Sequence, residues 1–260
     1  MRQVVASVIS SMKVVPGIYL VWLDSPEIAT EAKPGQFVMV RCGEDTMLYR
    51  PLSIHQLPDE ISPTKFAFLF TVVGKGTTWL SQREAGNSIE LLGPLGNGYI
   101  IHPTSRNLLL LAGGIGIAPL HYLTQHALNQ GCSVTLLLGA STATQLYPRH
   151  LLPEETQVIV TTEDGTEGQK GMITDLLLDF TGWADQIFAC GPISMYQAMA
   201  ARKQKFLKTK SVQVSLEVKM GCGRGLCYGC TVKTKRGLKQ VCQDGPVFDL
   251  DNVLWGELGY

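Results

Sequence analysis

Four cysteines, Cys222, Cys227, Cys230 and Cys242, crowd into the segment MGCGRGLCYGCTVKTKRGLKQVCQDGPVF. Their spacing is C-x4-C-x2-C-x11-C, and the first three positions match a known [2Fe–2S] ligand spacing. Such a site needs a tight loop that points several thiolates at one small cluster. Gly221, Gly223, Gly225 and Gly229 suit that loop, because they tolerate positive φ and let bare N–H groups approach sulfur. The fourth ligand lies beyond a predicted hairpin, with TVKT and LKQV as strands around Lys235-Arg236-Gly237. A four-cysteine zinc site and a pair of disulfides are the competing readings. Zinc sites favour two short C-x2-4-C pairs, and disulfides belong to exported chains. The spacing therefore favours a [2Fe–2S] cluster that moves single electrons. Of the seven cysteines, Cys42 and Cys132 read as plain buried thiols.

A cluster of this kind passes one electron at a time, whereas nicotinamide gives a hydride, so a flavin converter is worth seeking. Arg50-Pro51-Leu52-Ser53 reads as a stiff turn with an arginine for a pyrophosphate and a hydroxyl for the flavin ring. A surface Arg-Pro turn is its plain alternative. Gly74-Lys75-Gly76-Thr77-Thr78 leads into a predicted helix, whose N-terminus favours a phosphate; capping by Thr77 or Thr78 alone also accounts for it. In LLLLAGGIGIAPLHYL, Gly113, Gly114 and Gly116 allow a sharp strand-to-helix turn and close approach of a pyrophosphate. Pro119 stands where a third fingerprint glycine belongs, so a purely structural turn stays open. Cys190-Gly191-Pro192 ends a further strand, where ligands of open α/β sheets bind, beside a nicotinamide. After TLLLGAST no arginine occurs before Arg149, so no clamp for a 2′-phosphate is visible and NADH is expected over NADPH. The histidines form no metal-spaced pair on one helix face; His121 and His126 are five apart.

The elements that must position these residues read in two styles. Short alternating or apolar runs (Val4–Val14, Gly17–Leu23, Gln36–Arg41, Phe66–Val73, Ser88–Leu92) predict an antiparallel β-barrel or sandwich over 1–102. One short helix is expected at Thr77–Glu84. From about 103 to 210 strands alternate with helices. Asn107–Ala112, Ser133–Gly139, Gln157–Thr162 and Gln186–Ala189 read as strands, with helices over Pro119–Asn129, after Met172 and after Pro192. That order predicts a doubly wound parallel sheet. Residues 211–260 hold the cysteine group and are too short for a large core of their own, so a cofactor is expected to staple them.

The 260-residue chain has 22 basic and 22 acidic residues. A formal charge of zero gives no bulk reason to bind nucleic acid. No apolar run is long enough to span a bilayer, and the first residues, MRQVVASVISS, alternate like a strand rather than like a signal peptide. A cytoplasmic location is expected.

Taken together, RPLS, GKGT, LAGGIGIAPL and ACGP resemble the motifs of the ferredoxin–NADP reductase superfamily. SLEVKMGCGRGLCYGC, GPLGNGY and TTEDGTEGQKGMITDLL resemble those of the electron-transfer subunits of type B dihydroorotate dehydrogenases, in order over nearly the whole chain. The resemblance implies a flavin and iron–sulfur oxidoreductase in which NADH reduces FAD and electrons leave through the cluster. It implies FAD contacts from Arg50 to Ser53, from Leu69, Phe70 and Thr71, and from Gly76 and Thr77. Family members often carry arginine where Thr71 stands. It further implies an FMN-containing catalytic partner that interconverts orotate and dihydroorotate in pyrimidine biosynthesis, in a heterotetramer with two copies of each subunit. A reductase subunit for another partner (a sulfide dehydrogenase or a ferredoxin:NADP oxidoreductase) and a non-catalytic redox sensor are the alternatives.

Overall fold

A computed structural model describes residues 1–44, 46–58, 63–206 and 210–258, apart from the side chains of 204–206. The first third forms a closed barrel of β1 (Arg2–Val15), β2 (Ile18–Asp24), β3 (Phe37–Val40), β4 (Arg50–Gln56), β5 (Lys65–Thr71) and β6 (Ser88–Leu95). The strand order is β1-β2-β5-β4-β3-β6, and β6 closes the ring by pairing with both β1 and β3. Alternation does the sorting. Ala6 and Val8 of β1 and Val21 and Leu23 of β2 point into the barrel with Phe66, Phe68 and Phe70 of β5. Gly17 closes the first hairpin at φ +80, a conformation that favours glycine. A one-turn helix, α1 (Pro26–Ala29), plugs Ile28 into the barrel end.

Two local expectations shift. Arg50-Pro51-Leu52-Ser53 is not a turn but the start of β4. Proline is tolerated there because β5 pairs with β4 only from Ile54 onward, so the missing N–H faces no partner on that side. The helix expected at Thr77–Glu84 is α2 (Lys75–Ser81). It begins earlier because the Thr77 hydroxyl accepts the N–H groups of Val73 (2.8 Å) and Gly74 (3.1 Å) and donates to the Gly74 carbonyl.

The second unit is built on β7 (Asn107–Gly113), β8 (Ser133–Ala140), β9 (Gln157–Thr162), β10 (Gln169–Lys170), β11 (Gln186–Cys190) and β12 (Ser211–Ser215), all parallel to one another. Leu108 to Leu111 are wholly buried on both faces, as a central parallel strand requires. The helix expected from Pro119 begins at Ile117, as α3 (Ile117–Asn129), because Gly114–Gly116 already coils as a 3-10 turn. The segment after Met172 is also 3-10, over Ile173–Phe180, while α4 (Ile193–Phe206) is a full helix.

The cysteine region carries β13 (Thr231–Thr234), β14 (Gly237–Gln240) and α5 (Val241–Asp244), and then β15 (Val247–Asp249). The second hairpin strand thus ends before Val241, and Cys242 sits on a helical turn. The division at 210/211 parts stretches that one sheet holds together: β12 pairs with β11, and β15 pairs antiparallel with β12. One hydrophobic core joins Phe37, Met39 and Leu95 of the barrel to Val212 and Val214 of the sheet and to Cys230, Val232 and Cys242. The short terminal region therefore borrows a core as well as needing a staple.

The barrel and the sheet are also clamped through two histidines. His55 of β4 donates from Nδ1 to the Ala118 carbonyl of α3 (2.9 Å), and its Nε2 meets the Tyr147 hydroxyl at 3.0 Å. His121 stacks on it, with ring centroids 4.5 Å apart, and donates to the Leu151 carbonyl. Burial, joined for His55 by the nearby His121, lowers both imidazoles below their ordinary 6.5. The folded chain keeps them neutral, so below pH 6.5 the unfolded chain binds more protons. Stability is therefore expected to fall with acid by up to about 1.4 kcal/mol per pH unit for each histidine. Melting curves from pH 7 down to 5 check this: the midpoint should drop, and less steeply in His55→Gln. An acid-insensitive midpoint would contradict it.

Candidate functional site

Strand order β10-β9-β8-β7-β11-β12-β15 reverses direction between β7 and β11, and ligands of open α/β sheets bind at such a switch point. A cleft of about 520 Å3 opens there, between Val15, Ile18 and Thr71 of the barrel and Gly113, Gly114 and Pro192 of the sheet. Gly114 has φ +55 and open space before it, whereas Gly113 is packed against Pro192 and Met195. Both present backbone to the cleft just ahead of α3. Gly116 has another task. A Cβ there would run into the Cys190 carbonyl, so it lets α3 pack on β11.

The expected Cys190 contact is displaced. The thiol is fully buried, with Ser215 O at 3.8 Å and Glu217 Oε1 at 3.9 Å, and burial raises it well above its ordinary range. Pro192, not the sulfur, lines the cleft, and Gly191 packs against Met195 and Gly113. Glu217 was not singled out by sequence, since a lone acid after a strand carries no pattern. It keeps exposed surface yet is hemmed in by protein, and that crowding raises its carboxyl.

On the barrel, Arg50 and the start of α2 meet. A Cβ on Gly76 would lie 3.1 Å from Cys42 Cβ and 3.3 Å from Arg50 Nε, so glycine lets helix backbone and guanidinium share one cradle. Arg50 donates to the Leu48 carbonyl at 2.6 Å and, among the described residues, has no carboxylate within 4.0 Å. A cation beside a helix N-terminus suits the diphosphate of FAD. The Thr77 hydroxyl is spent on its own turn, leaving backbone as its contribution. Ser53 pairs with Phe37 across the β3–β4 ladder and is half-buried. Leu52 packs against the barrel core. Leu69 packs toward the sheet and Phe70 into the barrel, so of the three β5 residues only Thr71 lines the cleft.

The four cysteines gather in one region: Cys227 acts on the Cys222 thiol, and Cys230 and Cys222 both act on that of Cys242. The N–H groups of Arg224 and Leu226 both reach Cys222 Sγ at 3.4 Å. Gly221 and Gly229 lie against Cys227 Sγ, where added Cβ atoms would stand 3.4 and 3.6 Å away. Burial opposes ionisation of Cys222, but the N–H donors outweigh it and lower the thiol to about 7. Burial and then the Cys230 contact raise Cys242 to about 12. Among the described residues no three metal-ligating side chains converge on a single-ion point. Four thiols with N–H donors turned toward one of them supply the ligand set that a [2Fe–2S] cluster takes.

Gly223 seats this loop on the barrel, with Met39 and Leu95 under it. Asn97 fastens the far side, its N–H donating to the Gly245 carbonyl (2.6 Å) and its side chain to Gln243 O (3.0 Å). The cysteine region is thus fastened to the barrel, which also forms one wall of the cleft.

This is the architecture of a flavin- and nicotinamide-dependent reductase with an iron–sulfur outlet. The iron–sulfur cluster binding domain of dihydroorotate dehydrogenase B matches residues 217–254, and the oxidoreductase NAD-binding domain matches residues 110–201. The dihydroorotate dehydrogenase B (NAD(+)) electron transfer subunit of Desulforamulus reducens is 39% identical, covering 96% of this chain and 97% of its own. That of Clostridium acetobutylicum is 36% identical over 95% of each. A solved NADH-dependent reduced ferredoxin-NADP oxidoreductase superposes with a TM-score of 0.87 at 32% identity, covering 97% of this chain and 91% of the other. The chain belongs to the family of dihydroorotate dehydrogenase B electron transfer subunits. It is an oxidoreductase subunit that carries electrons from NADH by way of FAD and a [2Fe–2S] cluster. Among the described residues no helix is long and apolar enough to cross a membrane.

Proposed function

We propose that this chain is the NADH-oxidising subunit of a cytoplasmic dihydroorotate dehydrogenase, paired with an FMN-containing catalytic subunit in a heterotetramer of two copies each. The observation that carries the reading is one core that holds Ile173 and Met195 of the nucleotide cleft, Cys230 and Cys242, and Met39 of β3, the strand that pairs with Arg50 of the β4–α2 cradle. When bound, FAD supplies the step from hydride to single electrons and the [2Fe–2S] cluster supplies their relay. The chain's own residues do the positioning. The backbone at Gly113 and Gly114, ahead of α3, receives the dinucleotide pyrophosphate, and Gly191-Pro192 with Thr71 flank the nicotinamide end. Gly116 serves that site by setting the α3–β11 distance. Arg50, Gly76 and Thr77 hold the FAD diphosphate. Ser53 offers its hydroxyl to the flavin edge, and Leu52, Leu69 and Phe70 shape the wall behind it. Cys222, Cys227, Cys230 and Cys242 ligate the irons, with the Arg224 and Leu226 N–H groups donating to sulfur.

Exposed Leu226 and Tyr228 flank in the chain Cys227, the most open of the four thiols. A bare apolar rim of this kind suits a protein partner. The test is reconstitution: the chain plus the catalytic subunit should reduce orotate with NADH, and neither alone should. The likeness to the NADH-dependent reduced ferredoxin-NADP oxidoreductase favours one other partner. Transfer to ferredoxin but not to the dehydrogenase subunit would move the reading there.

Arg50→Ala is expected to weaken FAD retention by roughly 10- to 100-fold, as loss of a charge-assisted contact worth about 1.5–3 kcal/mol implies. Flavin released on dilution, followed by fluorescence, measures it. Retention equal to that of the parent chain would remove Arg50 from the FAD site.

A further inference from the structure

The nucleotide cleft has an uneven charge. Among its lining residues only Glu163 bears a formal charge. Glu163 follows β9, Ser141 follows β8 and the Gly113–Gly114 turn ends β7, and the sheet lays these three strands side by side in that order. In doubly wound sheets that bind NAD, the acid reading the adenosine ribose stands after the second strand, and an arginine near that place accepts a 2′-phosphate instead. Here the second strand, β8, is followed by Ser141, and no basic residue lies between Ser141 and Pro148. The carboxylate arrives from the neighbouring strand. Ser141 Oγ donates to Glu163 Oε1 at 3.0 Å, and the Glu163 N–H donates to the Ala140 carbonyl at 3.1 Å. These two bonds draw Glu163 over the end of β8. Among the described residues Oε2 takes no protein hydrogen bond.

We infer that Glu163, held by Ser141, reads the adenosine ribose of NAD(H) and excludes NADP(H). A ribose 2′-hydroxyl donates to the carboxylate. A 2′-phosphate, carrying about −1.5 to −2 charge, meets a like charge in a cleft with no cation to offset it, so discrimination works by repulsion as well as by contact. The inference rests on the cleft being the NAD(H) site.

The test is calorimetric titration of the FAD-loaded chain with NAD+ and with NADP+, beside kcat/KM for NADH and NADPH. The parent chain should prefer NAD+ by about tenfold or more, the equivalent of roughly 1.4 kcal/mol. Glu163→Gln should narrow that preference about tenfold, mostly by tightening NADP+. Glu163→Asp should keep it. Ser141→Ala, which retains the charge but frees it, should narrow it less. An unchanged ratio in both Glu163→Gln and Ser141→Ala would overturn the inference, as would equal weakening of both nucleotides. A parent chain that binds NAD+ without preference would also overturn it while leaving the cleft intact as the site. A parent chain that binds neither nucleotide would instead remove the cleft assignment.

Discussion

Cys230→Ser is expected to abolish electron delivery to a protein acceptor while sparing NADH oxidation by a small dye. Cys230 is almost fully buried and stands near enough to Cys242 to raise its thiol. Removing its sulfur leaves three thiolates for a cluster that takes four. Outer-shell changes at metal sites already cost about 10- to 100-fold, so loss of a ligand should cost at least on the order of 100-fold in transfer. The visible cluster bands and the iron content should fall together. The dye rate should persist, because the cleft and the β4–α2 cradle lie on other elements. Iron and spectrum unchanged in the serine variant would contradict the assignment, and so would zinc in anaerobically purified parent protein. The serine is close in size to cysteine, so a simple packing defect would not reproduce this split between acceptors.

The second large effect is expected at Gly116, and it concerns space alone. The residue has φ −58, which any amino acid adopts. A Cβ would nevertheless collide with the carbonyl and backbone of Cys190, on a strand held between β7 and β12. Neither side can yield without parting α3 from the sheet. Gly116→Ala should cost about 3 kcal/mol or more, a fall of roughly 6–12 °C in melting temperature. Gly114→Ala offers the contrast. It faces open space at φ +55 and should cost only about 1–2 kcal/mol, the strain of a left-handed backbone. Equal losses at the two positions would show that packing on Cys190 is not what Gly116 provides.

The two glycines also show what a sequence reveals. Their spacing marked a strand–turn–helix, and that was found, but nothing in the string separates the one facing ligand space from the one facing a carbonyl. The cysteine loop was legible because ligand number and spacing are local. The strands of the barrel were legible by alternation, except β4. There Pro51 reads as a turn, and only the unpaired side toward β5 explains its place in a strand. The helical turn that carries Cys242 was hidden for another reason: Val241 continues the apolar alternation of LKQV, yet its N–H donates to the Cys230 carbonyl. Glu163 and Glu217 gave no signal, since an isolated acid acquires meaning only from what lies opposite. Pairing of β12 with β15 joins residues more than thirty positions apart, beyond the reach of any local pattern.

That last pairing bears on how the electron outlet is attached. Ser215 and Val247 stand directly opposite in an antiparallel ladder, so the chain leaves the sheet and re-enters it through adjoining doors. Everything between them is a cassette mounted on one edge of the reductase. A differently liganded insert has to begin and end at the same two posts and still fill the core that Cys230, Val232 and Cys242 share with the sheet. The same doorway gives the insert two rigid legs instead of one tether, which fixes its distance from the barrel floor under Gly223 and leaves its outer face free to change with whatever it must meet.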